Sequence, residues 1–265
     1  MKFKSNDWLR IAVVLVGGVV INDWGLSWIP LHRLHLSPFW FSIVGRGISS
    51  AITFVGILFV CPNVLKRFTM GGDLKRVLIA LTLVAYLTVP MLLHTNYRGA
   101  TAVQVLESFV FALFIGIEED FFARGFIYGA LERYGVWFAA IVSSVLFGLS
   151  HLTNIVWGHQ SAAYTLAQSV NAGAFGFLAA SLMIFSGSIW VPILLHGLND
   201  FPMQFDTGTQ YVKMVTGQGD WVAVGIDLVL YISVGSLLII LDKERGPNLV
   251  MQKLSKLGLM QETTE

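Results

Sequence analysis

Val77-Leu78-Ile79-Ala80-Leu81-Thr82-Leu83-Val84-Ala85-Tyr86-Leu87-Thr88-Val89-Pro90-Met91-Leu92-Leu93 carries no charged side chain from end to end. A helix crossing the hydrocarbon of a bilayer needs ~20 mostly apolar residues, and this run with its flanks supplies them. A helix on the surface of a soluble domain would instead show a polar face every turn. Working outward, Ile11–Ile21 is likewise free of charge, and Val222–Leu241 carries only Asp227. Composition agrees, with 55% hydrophobic and 12% charged residues against roughly 45–50% and 25% in a soluble domain. The fold class is therefore all-α: a polytopic integral membrane bundle of about eight transmembrane helices.

The expected spans lie near 8–30, 39–62, 77–94, 101–131, 136–153, 161–185, 188–203 and 219–241. The seventh is short and interrupted by Pro192, and the fourth is long enough to tilt or protrude. Cytoplasmic loops should be rich in Lys and Arg. A chain starting inside puts Lys2, Lys4, Arg10, Lys66, Arg67, Lys75, Arg76, Arg133, Lys243, Arg245, Lys253 and Lys256 on the cytoplasmic side, and only Arg33, Arg98 and Lys213 outside. Both termini are then cytoplasmic, while Arg46 and Arg124 stay in the membrane. Turn residues at Met70-Gly71-Gly72-Asp73, Arg133-Tyr134-Gly135 and Ser186-Gly187-Ser188 sit where inner connections are needed. The chain divides into N-terminal transmembrane helices (1–100), core helices (101–205), a last helix with its preceding loop (206–241) and a cytoplasmic tail (242–265). In the tail, Leu254, Leu257 and Leu259 are suited to the membrane surface.

Several functions are excluded or demoted. Net charge is +1, so nothing suggests a nucleic-acid partner. Cys61, the single cysteine, leaves no intrachain disulfide or cysteine zinc site and reads as an inert buried thiol. The basic start and apolar core of the N-terminus lack a small-x-small cleavage site, so it is not a signal peptide. The C-terminus carries no lipidation box. Gly217-Gln218-Gly219-Asp220 has the letters of the GxGD box of intramembrane aspartyl proteases, but beside Trp221 at a helix mouth it reads as a capped helix start. His32, His35, His94 and His159 fall near interfaces. Glu107 and Asp227 lie inside helices, either pairing helices or lining a cavity. No HExxH or GxSxG motif is present.

A charge at the centre of a spanning helix costs ~2.5–3.5 kcal/mol, so intramembrane ionisable residues are functional candidates. They gather in three places: Glu118-Glu119-Asp120-Phe121-Phe122-Ala123-Arg124-Gly125, Phe147-Gly148-Leu149-Ser150-His151, and His196-Gly197-Leu198-Asn199-Asp200. Asp120 and Arg124 are four apart and share a helix face, as do His196 and Asp200. Glu119 and His151 are equidistant in sequence from Gly135, so an antiparallel hairpin turning there brings them to the same depth. The depth of His196 requires either that the connection before it dips into the protein or that its helix is displaced. A carboxylate beside an imidazole in a partly dry cavity can activate water, with a second His and its i+4 carboxylate stabilising an oxyanion. Equally, Glu119, His151 and His196 suit three ligands of a divalent metal such as zinc, with Asp200 orienting a ring nitrogen. Residue types alone do not separate the two.

The ordered series Glu119-Asp120-x-x-x-Arg124, Phe147-x-x-x-His151 and His196-x-x-x-Asp200 resembles the CPBP family of CaaX prenyl endopeptidases and bacteriocin-processing (Abi-type) enzymes, over roughly residues 100–205. The resemblance implies an intramembrane endopeptidase acting on a peptide or lipidated peptide. In it, Glu119 and His151 activate water, His196 and Asp200 stabilise the oxyanion or complete a metal site, and Asp120 and Arg124 form an ion pair. Family members are often described as metalloproteases, and a metal-free glutamate mechanism is also argued. Phe147 and Asn199 accompany the site. This chain departs from the pattern in having Asp120 as its second acidic residue, Glu118 as an extra carboxylate, and Asp200, with Asn199 just before it, in the last position. A register slip by one would make Glu118 the base. The expected location is a bacterial plasma membrane. The rival readings are an ion-coupled transporter and a non-catalytic immunity or scaffold protein of the same fold.

Overall fold

The computed structural model describes residues 35–69, 73–156, 160–205, 217 and 219–242. Every element among them is helical. Helix α1 (Pro38–Val60) starts where Ser37 accepts from the Trp40 amide and a proline occupies the first turn. A 3-10 segment, Pro62–Phe68, leads towards α2 (Leu74–His94), capped by Asp73 through the Lys75 amide at 3.0 Å. Helix α3 (Ala102–Asp120) opens on a reciprocal capping box between Thr101 and Gln104. It widens into a π-helical segment, Phe121–Ile127, and resumes as Tyr128–Leu131. Gly135, at φ 115°, makes the turn into α4 (Val136–Ser150), which tightens into a 3-10 end at His151–Ile155. Helix α5 (Ala162–Ser186) ends on left-handed Gly187, followed by α6 (Trp190–Asp200) and α7 (Trp221–Leu241).

Five of these helices are long and apolar enough to cross a membrane: Pro38–Val60, Leu74–His94, Val136–Ile155, Ala162–Ser186 and Trp221–Leu241. The other expectations fare differently. The first expected span lies outside the described residues. The fourth is broken into α-, π- and α-helical pieces, with three successive acidic residues at the first break. The seventh is α6, whose 11 residues rise only about 16 Å at ~1.5 Å each, roughly half the hydrocarbon thickness.

Helix α5 is the axis of the bundle, with 83% of its apolar window buried against 22% for α2 and α7. It packs chiefly on α4 and α7, while α6 is held between α3, α2 and α5. Large apolar side chains on the outer faces, such as Phe59, Tyr86, Leu93 and Val222, are exposed, as lipid contact requires. Two glycines pull α6 onto α3. A Cβ on Gly116 would lie 2.9 Å from the Ile193 carbonyl oxygen, and one on Gly197 would lie 2.8 Å from a Leu113 methyl. This crossing carries His196 against the acidic end of α3, so Gly116→Val should loosen both fold and site. We expect a loss of about 1–3 kcal/mol in thermal or denaturant unfolding, and unchanged stability would show that the crossing relaxes freely.

The depth of His196 has a direct explanation. The connection from α5 to α6 dips into the protein: Ser186, Ser188 and Ile189 are all buried. The Ile189 amide donates to the Arg67 carbonyl at 2.8 Å, and Trp190 Nε1 donates to the Phe68 carbonyl at 2.8 Å. The 3-10 segment after α1 thus serves as the floor on which α6 starts. Arg67 belongs to this floor instead of to a solvated loop, being buried with Nη2 donating to Glu132 at 2.7 Å and Nη1 to the Met183 carbonyl. Arg76 is likewise paired, with Asp242 at 2.8 Å.

Candidate active site

Three consecutive carboxylates on α3 leave the helix about 100° apart, and each meets a different environment. Glu118 is buried against α1, where it pairs with Arg46, whose guanidinium also lies 5.1 Å from the Phe111 ring centroid. Asp120 is fully buried towards α6. Its Oδ1 is 3.1 Å from Arg124 Nε, and its Oδ2 accepts from His196 Nδ1 at 3.0 Å. Glu119 lies between them and keeps a quarter of its side chain exposed. It opens into a cavity of about 160 Å³ shared with Phe122, Phe147, Ser150, His151, Thr153 and Asn154.

The widened helix after Asp120 contains Arg124, and helices often carry such insertions at functional positions. Arg124 is buried and holds Asp120 by charge more than by an aligned hydrogen bond: Nη1 and Nη2 find no acceptor, and the guanidinium stacks 4.4 Å over the Phe147 ring. Phe147 also meets both imidazoles edge-on, at 5.0 Å from His151 and 5.9 Å from His196. One aromatic ring therefore spaces the three cationic or basic groups of the site.

Hydrogen bonding defines the two histidines. His151 Nδ1 lies 2.9 Å from the Phe147 carbonyl oxygen, which can only accept. Nδ1 therefore donates, and in the neutral ring Nε2 carries the lone pair. In His196 the Asp120 carboxylate likewise places a proton on Nδ1, while Nε2 stands 3.5 Å from Glu119 Oε2 and 3.6 Å from Asp200 Oδ2. The ring is buried, packed edge-on against Phe175 at 5.2 Å. Asp200 Oδ1 accepts from Asn199 Nδ2 at 3.4 Å. A second cavity, of about 280 Å³, is lined by His151, His196, Asn199, Asp200 and a polar stripe of α5. His151 and Phe147 border both cavities.

The expected residues are thus gathered, with altered partners. Glu119 and His151 share a cavity, yet the imidazole nearest to Glu119 is His196. Asp120 orients the His196 ring through Nδ1, the part expected of Asp200. The trio Glu119, His151 and His196 is not assembled as a ligand set: among the described residues no three His, Cys, Asp or Glu side chains are placed to hold a metal ion. Arg46 was recognisable as an intramembrane charge in need of a carboxylate, but nothing in the sequence named Glu118 as its partner. Asp227 proves to pair helices, accepting from Asn171 Nδ2 at 2.7 Å. Asp220 caps α7 through the Ala223 amide at 3.1 Å, and Gln218 of the same box lies outside the described residues. Cys61 is a buried free thiol, as expected. His94 is exposed and bonds within its own helix to the Pro90 carbonyl, while His32 and His159 lie outside the described residues.

Residues 101–202 match the family model described as type II CAAX prenyl endopeptidase Rce1-like. This segment is similar to the Rce1-like family. The Rce1-like core begins at the cap of α3 and runs through α6, so it contains Glu118, Glu119, Asp120, Arg124, Phe147, His151, His196, Asn199 and Asp200. The matched segment is similar to the core of CAAX-type prenyl endopeptidases, and the described residues include five helices long and apolar enough to cross a membrane. Arg46, Arg67 and Asp227 reach it from helices outside the matched segment. A comparison with curated proteins finds no match.

Proposed function

We propose that the protein is an intramembrane endopeptidase that hydrolyses a peptide bond in a prenylated or otherwise membrane-associated peptide, with Glu119 as general base. The observation that carries this reading is the contrast among three neighbouring carboxylates. Glu118 and Asp120 are buried against arginines, whereas Glu119 faces a cavity roomy enough for water and lined by His151. Water held between Glu119 and the lone pair of His151 Nε2 gives its proton to the carboxylate and attacks the scissile carbonyl. His196, its ring oriented by Asp120 through Nδ1, presents Nε2 beside Glu119 and Asp200, where it is placed to donate to the oxyanion. Collapse of the tetrahedral intermediate returns the proton from Glu119 to the leaving amine.

Both termini are placed on the cytoplasmic side of the membrane on the strength of the loop charges. The reading is tested with purified protein in liposomes and a fluorophore-labelled, farnesylated CaaX peptide, with products identified by mass spectrometry. His151→Ala should lower kcat by about 10²–10⁴, the usual contribution of a proton-transfer partner, while leaving thermal stability near that of wild type. Ion or solute flux without cleavage would overturn the reading in favour of a transporter.

A further inference from the structure

The larger cavity carries a polar stripe that the hydrolytic steps do not use. Gln168 and Asn171, one turn apart on α5, line it together with His151, His196 and Asp200. Each amide is already bonded to a partner on another element. Asn171 Nδ2 donates to Asp227 Oδ2 on α7 at 2.7 Å. Because a carboxylate only accepts, this bond fixes the amide's orientation and leaves the Asn171 carbonyl oxygen as a free acceptor. Gln168 is paired amide to amide with Asn154, beyond the end of α4, at 3.1 Å; because either amide can accept, Gln168 can turn its amino group to the cavity as a donor. Both side chains are half-buried, and neither remaining group has a protein partner among the described residues.

A fixed acceptor on Asn171 and an available donor on Gln168, on neighbouring positions of one helix face, complement the C=O and N–H that a single residue of an extended chain presents to one side. We propose that Gln168 and Asn171 form a backbone clamp that holds the peptide substrate extended beside the catalytic cluster. Gln168 Nε2 donates to a substrate carbonyl and Asn171 Oδ1 accepts the N–H of the same residue. Recognition of this kind is independent of side-chain sequence, as when a strand is added to a sheet edge. It also gives Asp227 a reason to stand within an apolar helix: the carboxylate sets which end of the Asn171 amide faces the substrate. The proposal rests on the endopeptidase reading and identifies how that site takes its substrate.

The test uses the farnesylated CaaX peptide and a series of the same peptide N-methylated at one backbone amide at a time around the cleaved bond. In wild-type protein, one member of the series should show a KM raised roughly fivefold, the loss of one hydrogen bond, with kcat little changed. Asn171→Ala should raise the KM of the unmethylated peptide by a similar factor and abolish the difference between it and the methylated one. Asp227→Asn should weaken the discrimination. A second arm measures binding of the same peptides to the Glu119→Gln variant in nanodiscs by fluorescence anisotropy, which needs no turnover. A methylation penalty that survives intact in Asn171→Ala would overturn the clamp alone, as would loss of thermal stability without any change in KM. Absence of cleavage by wild-type protein would refute the endopeptidase reading, while the anisotropy arm would still decide the clamp.

Discussion

Arg124→Met is expected to destabilise the protein by about 3–5 kcal/mol, the penalty for leaving one member of a buried ion pair without the other. Asp120 and Arg124 are both essentially fully buried, and among the described residues Asp120 is paired with Arg124 and His196. Removing the guanidinium strands a carboxylate in an apolar interior and also deprives Phe147 of the group stacked 4.4 Å above it. Unfolding measured in detergent micelles should show the loss. The double variant Arg124→Met with Asp120→Leu should recover most of it, since apolar side chains of similar volume often replace a buried pair at little cost. Activity should not return with stability, because His196 would then lack the acceptor that fixes its Nδ1 proton. A double variant as unstable as the single one would show that the pair is needed for shape and not for charge.

The second large effect separates Glu119 from its neighbour. Glu119→Gln keeps the volume and removes the base, so kcat should fall by about 10²–10⁴ with stability little altered. Glu118→Gln should behave in the opposite sense. It breaks the buried pair with Arg46 at the contact of α1 with α3, so stability should fall while kcat stays within a few-fold of wild type. Parallel measurement of kcat and unfolding for the two variants distinguishes them. A kcat loss confined to Glu118→Gln would mean that the register has slipped by one and that Glu118 is the base.

Much of this architecture is legible in the residues themselves. Hydropathy places the apolar spans to within a turn or so, because backbone groups in hydrocarbon leave little alternative to helix. Gly135 and Gly187 both take positive φ at the predicted turns, where a side chain would be strained. The i, i+4 spacing of Asp120 and Arg124 gives an ion pair even through the π-helical stretch. What the sequence hides is adjacency. That Arg46 faces Glu118 depends on α1 packing against α3, and no local periodicity encodes which helices touch. The depth of His196 depends on the α5 to α6 connection sinking onto the Pro62–Phe68 segment, which buries an arginine that loop-charge counting assigns to solvent. Asp120 and Asp200 compete for the same imidazole, and only the crossing of α3 and α6 at Gly116 and Gly197 decides that Asp120 takes Nδ1.

Cleavage of the farnesylated CaaX peptide under single-turnover conditions, in water labelled in its oxygen and followed by mass spectrometry, tests the central claim most directly. The account predicts that wild-type protein in liposomes places the label in the newly formed carboxylate, and that Glu119→Gln forms no labelled product on the same timescale. Labelled product appearing at the same rate in Glu119→Gln, or no product from the wild type, would contradict it.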